Sequence, residues 1–237
     1  PTLMNALNTQ MRAEITATVR DLGARMRVLV LTGEGRAFCS GQDLGDGASI
    51  DELDLGRILR EEYEPMLRAI ADCPVPVIAA VEGGAAGAGL SIALACDLIV
   101  AAEDAQFTAA YVKAGLVPDG GLTAALARSL PRPLAMEMCL LARPQSAERL
   151  AQLGVINAIV PMGQALAAAQ SLAQEIGAGP PQAQAAIRSL VSSAYETTEA
   201  EQLDRERDAM ARAAGGAEAG EGIAAFLEKR PPRFQDL

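Results

Sequence analysis

The stretch PVIAAVEGGAAGAGLSIALACDLIVA (76–101) carries two charged residues, Glu82 and Asp97, and four glycines within seven positions. A run this apolar belongs in an interior. VIAAV is too short for a helix and has the length of a strand buried on both faces. SIALA reads as a helix whose side chains are small enough for close packing, and DLIVAAEDAQFT supplies one or two more strands. Strand, tight turn, close-packed helix and strand again define an α/β architecture. The glycines between strand and helix allow two readings. They permit close strand–helix packing, or they leave free backbone N–H groups at a helix N-terminus, aimed at negative charge. A dinucleotide fingerprint is excluded because Gly84, Gly87 and Gly89 run GxxGxG, the reverse order. A P-loop is excluded because no GK[ST] follows.

The rest of the chain fits around this unit. Leu7, Met11, Ile15, Val19 and Leu22 form one apolar stripe of a helix that Gly23 stops. RVLVLTG (27–33) reads as a buried strand, followed by the Gly-rich loop GEGRAFCSGQDLGDGA. Residues 49–72 read as helix, with Pro65 as a blemish, and shape any pocket nearby. Beyond residue 120 the segments 122–130, 133–142, 146–153, 164–178, 182–195, 199–213 and 218–229 read as helices. Only VINAIV (155–160) reads as a strand there. The stretch AAGGAEAGEG (213–222) suggests a hinge.

The chain has 237 residues and half are hydrophobic, enough for a sizeable core. With no Trp and few other aromatics, that core is aliphatic. A net charge of −10 argues against nucleic acid as a partner. No run is long and apolar enough for a membrane span, and no signal peptide is visible. The four cysteines, without CxxC spacing, read as buried thiols of a reducing compartment, so a cytoplasmic protein is expected. Histidine is absent, which removes His-based triads, His metal ligands and a His base. Carboxylates, Tyr, Lys and Cys remain. No metal site is expected.

Two further motifs carry chemistry. AFCSGQDL (37–44) follows the first clear strand. It is either a simple turn or the source of a second backbone N–H beside the one offered by 82–97, since loops after neighbouring strands converge at their carboxyl ends. In KAGLVPDGGLT (113–123), Asp119 stands between an apolar run and two glycines. It either caps the helix from about Leu122 or is a carboxylate held over an apolar pocket of Leu116, Val117 and Leu122, as a proton shuttle. Cys39 and Ser40 have no base beside them, which argues against a nucleophilic role. Lys113 and Glu103 read as solvated, and Arg36, Lys229 and Arg230 as surface charges or phosphate contacts.

RVLVLTGEGRAFCSGQDL, PVIAAVEGGAAGAGLSIALACDLIVAAEDAQF and GLVPDGGLTAALAR together resemble the crotonase (enoyl-CoA hydratase/isomerase) superfamily. The resemblance runs from NAL (5–7) to EGIAAFLEKRPPRF near the C-terminus. A strand or hairpin that usually precedes the NAL segment is not in this sequence, which starts at Pro1 without Met. The resemblance implies a ββα superhelix with a helical C-terminal part, divided as an α/β core (1–185) and a helical trimerisation region (186–237). It implies homotrimers, often paired into hexamers, and acyl-CoA substrates, with coenzyme A part of the substrate and no separate cofactor. By position, the N–H groups of Gln42 and Ala88 correspond to the oxyanion hole for the thioester oxygen. Met4, Ala37, Ser40, Asp43, Leu44, Gly84, Tyr111 and Leu116 fall at substrate-binding positions.

Departures from the family pattern bear on the reaction. The two hydratase glutamates correspond here to Ser91 and Tyr111, and Asp119 stands where hydratases have Gly. GLVPDGG together with the C-terminal segment looks most like phenylacetate-pathway isomerases acting on ring-1,2-epoxyphenylacetyl-CoA, in which an Asp at this position is catalytic. The expectation is an isomerase using Asp119. The alternatives are a hydratase or other crotonase activity, and a non-catalytic subunit that binds CoA esters or serves assembly. A related dehalogenase also uses an Asp but needs His and Trp, both absent here.

Overall fold

The computed structural model describes residues 1–43 and 54–237. Its centre is β2 (Val77–Val81), buried at every residue. Strand β1 (Leu29–Thr32) pairs with it on one side and β4 (Leu98–Ala102) on the other, with β7 (Ala158–Val160) beyond β4, all parallel. Both sheet faces are covered, which is why the strands read as unbroken apolar runs. Val77, Ala79 and Val81 face the larger core with Leu90, Ile92 and Ile99, whereas Ile78, Ala80 and Val100 face Ala165 and Ala169 of α8 (Ala165–Gly177). Each fully buried Val or Ile contributes about 1.5–3 kcal/mol. Glu82, inside the Gly-rich stretch, holds the start of α8. Its carboxylate accepts from the N–H of Gly163 and of Ala165.

A second sheet orders β3-β5-β6: β3 (Gly84–Ala86), β5 (Gln106–Thr108) and β6 (Gln145–Ser146), the first pair parallel and the second antiparallel. Thus 98–108 forms two strands. Strand β3 lies within what the sequence presents as a loop, because Gly-Ala-Ala has no β-branched residue to announce it. Helix α4 (Ala88–Ala95) follows after one residue.

Helix α1 (Thr9–Gly23) starts two residues after Leu7, with Asn8 as N-cap accepting from the Met11 N–H. Helices α2 (Leu55–Ile58) and α3 (Glu64–Ala71) are joined by one π-helical turn, Leu59–Tyr63. There the Glu64 N–H reaches the Leu59 carbonyl. The wide turn sits directly before Pro65, which lacks an N–H and crowds a regular helix. The part of the expected helix over 49–53 lies outside the described residues.

The C-terminal helices are α5 (Leu122–Ser129), α6 (Arg132–Leu141), α7 (Ala147–Gln152), α8, α9 (Pro181–Ser193), α10 (Glu199–Ala214) and α11 (Ala217–Glu228). Arg188 of α9 ties this part to the core. Its guanidinium pairs with Asp97 at 2.7 Å and donates to the Ile70 carbonyl. Two expectations need correction. The strand expected over 155–160 is only Ala158–Val160, because Asn157 bonds both the N–H and the carbonyl of Ile99 with its side chain and backbone. The hinge expected over 213–222 shrinks to Gly215 and Gly216. From Ala217 on the chain is helix, and Glu218 ties its first turn to the start of α9 by accepting from the Gln182 and Ala183 N–H groups.

Candidate active site

The loop 37–43 and the turn into α4 touch back to back. A Cβ on Gly41 would lie 3.0 Å from the Ala86 carbonyl oxygen and 3.4 Å from the Ala88 nitrogen. A Cβ on Gly89 would lie 2.3 Å from the Cys39 carbonyl oxygen, a distance no side chain tolerates. Gly87 turns the chain into the helix at φ 53°, ψ −125°, a conformation reserved for glycine. The close-packing reading of the glycines holds, and that packing brings two backbone segments to one cavity.

Residue Ala88 is the first of α4, so its N–H has no acceptor inside the helix. Gln42 sits between two clamps. The Leu7 N–H donates to the Gly41 carbonyl at 2.8 Å, and the Asp43 N–H donates to the Leu7 carbonyl at 3.2 Å. In such a bridge the central residue turns its own N–H to the opposite side. Among the described residues neither N–H has an acceptor, and Gln42 and Ala88 line the same cavity of about 310 Å³.

Asp119 stands on the wall of that cavity. Its side chain is not the cap of α5. The N-cap is Gly121, and it is the Asp119 backbone carbonyl that accepts from the Leu122 N–H. The carboxylate is left to face the cavity and accepts the Tyr111 phenol at 2.7 Å. Burial raises its pKa from the ordinary aspartate value, and the Tyr111 hydrogen bond opposes that rise. The Tyr111 phenol is pushed well above its ordinary value by burial and by the neighbouring carboxylate, so it stays protonated and donates. Ser91, 3% exposed, has a buried Oγ with no hydrogen-bond partner of good geometry. The Tyr111 phenol is its polar neighbour.

The remaining residues assigned by resemblance divide clearly. Ser40, Asp43, Tyr111 and Leu116 line the cavity. Met4, Ala37 and Gly84 do not; they build the loop behind it. The Met4 carbonyl accepts the Ser40 N–H, the Ala37 carbonyl accepts the Asn5 amide, and the Gly84 carbonyl accepts the N–H groups of Phe38 and Cys39. Leu44 lies outside the described residues. The cysteines are free, and burial pushes the Cys39 thiol up to about 11, so it is no nucleophile at neutral pH. Arg230 is engaged by Glu221 and Glu228. Among the described residues no cluster of side chains could hold a metal ion, and no helix is long and apolar enough to cross a membrane.

Sequence reasoning missed most of the apolar wall, Leu55, Ile58, Leu59, Ala110 and Ala114, although it pointed to the 49–72 region, which supplies the first three. It also missed Tyr63, whose hydroxyl donates to the Gln42 Oε1 at 2.7 Å. A lone Tyr in a charged helix gives no signal of that role.

A parallel sheet with covered faces, a second small sheet and a helical C-terminal part make up the crotonase fold. Solved structures agree. An enoyl-CoA hydratase from Polaromonas is 40% identical with a TM-score of 0.89, over 98% of this chain and 92% of that one. An enoyl-CoA hydratase/isomerase from Mycobacterium abscessus is 30% identical with a TM-score of 0.92, over 99% and 92%. The sequence model of the enoyl-CoA hydratase/isomerase family matches residues 1–237, and the chain belongs to that family. A probable enoyl-CoA hydratase of Rhodobacter capsulatus is 45% identical, over 99% of this chain and 91% of the relative. The 1,2-epoxyphenylacetyl-CoA isomerase of Escherichia coli is 39% identical over the same shares. The activity of the family is on CoA thioesters.

Proposed function

We propose that this chain is an acyl-CoA isomerase in which Asp119 is the only acid–base group and the N–H groups of Gln42 and Ala88 hold the thioester oxygen. The observation that carries this reading is the pairing in one cavity of two acceptor-free N–H groups with a half-buried carboxylate of raised pKa. A thioester acidifies its α-carbon because the enolate places charge on the carbonyl oxygen. Two preorganised donors stabilise that charge, and losing one costs about 3 kcal/mol. A single carboxylate then takes a proton from one carbon and returns it to another. Addition of water usually needs a second carboxylate to position the water. Ser91 and Tyr111, at the positions of the hydratase glutamates, supply none.

The likeness to the Escherichia coli isomerase supports an epoxyphenylacetyl-CoA-type substrate, an enoyl double-bond shift, or both. The apolar cavity wall suits a neutral acyl group. The 45% identity to a protein named a probable hydratase favours a second reading, hydration. Turnover of a β,γ-enoyl-CoA and of its α,β-isomer in H₂¹⁸O separates them. Isomerisation without ¹⁸O incorporation supports the proposal. Rapid incorporation at C3, with no double-bond shift, replaces it with hydration. Binding without turnover of a wide acyl-CoA panel points to a non-catalytic CoA-ester protein.

A further inference from the structure

Arg12 is 2% exposed, the largest fully buried side chain among the described residues. Burying a guanidinium is costly unless every donor finds an acceptor. Here they do: Nε and Nη2 bond the Glu62 carboxylate at 3.0 and 2.7 Å, Nη2 also bonds Thr9 Oγ1 at 3.0 Å, and Nη1 donates to the Leu7 carbonyl at 2.7 Å. Its carbon lies 4.8 Å over the Tyr63 ring, and Nη1 reaches the Tyr63 hydroxyl at 3.4 Å. Both acceptors of Nη1 lead to one residue. The Leu7 carbonyl also accepts the Asp43 N–H, and the Tyr63 hydroxyl donates to the Gln42 side chain.

We infer that Arg12, Glu62 and Tyr63 are positioning residues that hold the Gln42 N–H on the thioester oxygen. The inference rests on the oxyanion reading above. The backbone on either side of Gln42 is fixed through Leu7, and its side chain is fixed through Tyr63. The peptide N–H of Gln42 therefore has no freedom to rotate off the cavity. Burial pushes the Tyr63 hydroxyl up to about 12 even beside Arg12, so the phenol remains a donor throughout the neutral range. A donor fixed before substrate arrives needs no reorganisation as charge develops, and misplacement by about 1 Å costs on the order of 10²-fold in rate. An apolar side chain at position 12 would fill the same volume. Only the guanidinium fan can reach Leu7, Tyr63 and Glu62 at once.

The test uses Tyr63→Phe, which removes one oxygen and keeps the ring that covers Arg12. A conjugated aryl-enoyl-CoA serves as a probe, because its absorption moves to the red when the thioester carbonyl is polarised. The expected result is a kcat lower by roughly 10–100-fold, an almost unchanged Kd for the probe, and loss of most of its red shift. Arg12→Lys should fall in the same direction, and Tyr63→Phe combined with Gln42→Met should be little worse than either alone. A purely structural role would lower the melting temperature but leave kcat per folded molecule and the red shift intact, and that outcome overturns the inference. Ala88→Pro is the control for the underlying reading. Proline is tolerated at the first helical position and removes the other N–H donor. If Ala88→Pro also keeps the full red shift, the oxyanion reading fails; if only Tyr63→Phe keeps it, the positioning role alone fails.

Discussion

Replacing Gly89 by Ala tests whether the two loops must touch. The added Cβ would meet the Cys39 carbonyl oxygen at 2.3 Å and the Cys39 Cβ at 2.8 Å. Ordinary contact begins near 3.4 Å, so loop and helix must part by about 1 Å, a displacement that costs on the order of 10²-fold in rate when it falls between catalytic groups. The obstacle is backbone, which cannot swing aside as a side chain tip can. The loop that moves carries the Gln42 N–H, while Ala88 stays with the helix. Overpacking of this kind destabilises by about 1–3 kcal/mol, so the fold should survive. The assay is isomerisation of a β,γ-enoyl-CoA, with a thermal melt on the same preparation. Gly84→Ala is the matched control, since its Cβ would meet nothing within 4 Å, and it should be near normal. A Gly89→Ala variant with wild-type kcat would refute the argument that close approach of the loops builds the site.

Other perturbations have definite signs. Tyr111→Phe deletes the hydrogen bond that lowers the Asp119 pKa and leaves the burial that raises it; because the base must be ionised, the acid limb of kcat against pH should move to higher pH, and a shift to lower pH would contradict the electrostatics. The folded-state pKa of Asp119 lies above its unfolded value, so between the two values stability falls as pH rises. Asp119→Asn removes that penalty, and its melting temperature at neutral pH should equal or exceed that of the parent. Helix α11 exposes Ile223, Phe226 and Leu227, the second of these at 82%, which a trimer or hexamer would cover. Light scattering at micromolar concentration should give that mass, and Phe226→Glu should lower it; a monomeric parent would refute the assembly.

The elements legible in the sequence were those with a single dominant driving force. Strands β1, β2 and β4 appear as apolar runs because both faces of their sheet are covered. Helix α1 appears as a stripe because only one face is. Asp119 stood out as a carboxylate between an apolar run and two glycines, but spacing left cap and cavity wall both open; the Tyr111 hydrogen bond that turns it to the cavity is a tertiary contact. What stayed hidden depends on partners distant in sequence. Arg12, at the edge of the apolar stripe of α1 beside Val19, drew no reading from the sequence; its burial depends on Glu62 and Tyr63, fifty residues away. Strand β3 exists because β5 supplies its hydrogen bonds, not because Gly-Ala-Ala favours extension. The π turn before Pro65 is a local answer to a missing N–H that periodicity alone does not foresee.

The proposed isomerisation depends above all on Asp119 moving the proton. Asn at this position keeps the size of the side chain and an oxygen for the Tyr111 hydroxyl, and it loses only the base. The direct measurement is single-turnover isomerisation of a β,γ-enoyl-CoA by Asp119→Asn, with the Kd for the same ester measured alongside. The expected result is a rate lower by roughly 10²–10⁴-fold with binding changed little. A rate within a few-fold of the parent would contradict it and leave Tyr111, the other protic group bonded at that point in the cavity, as the residue to test next.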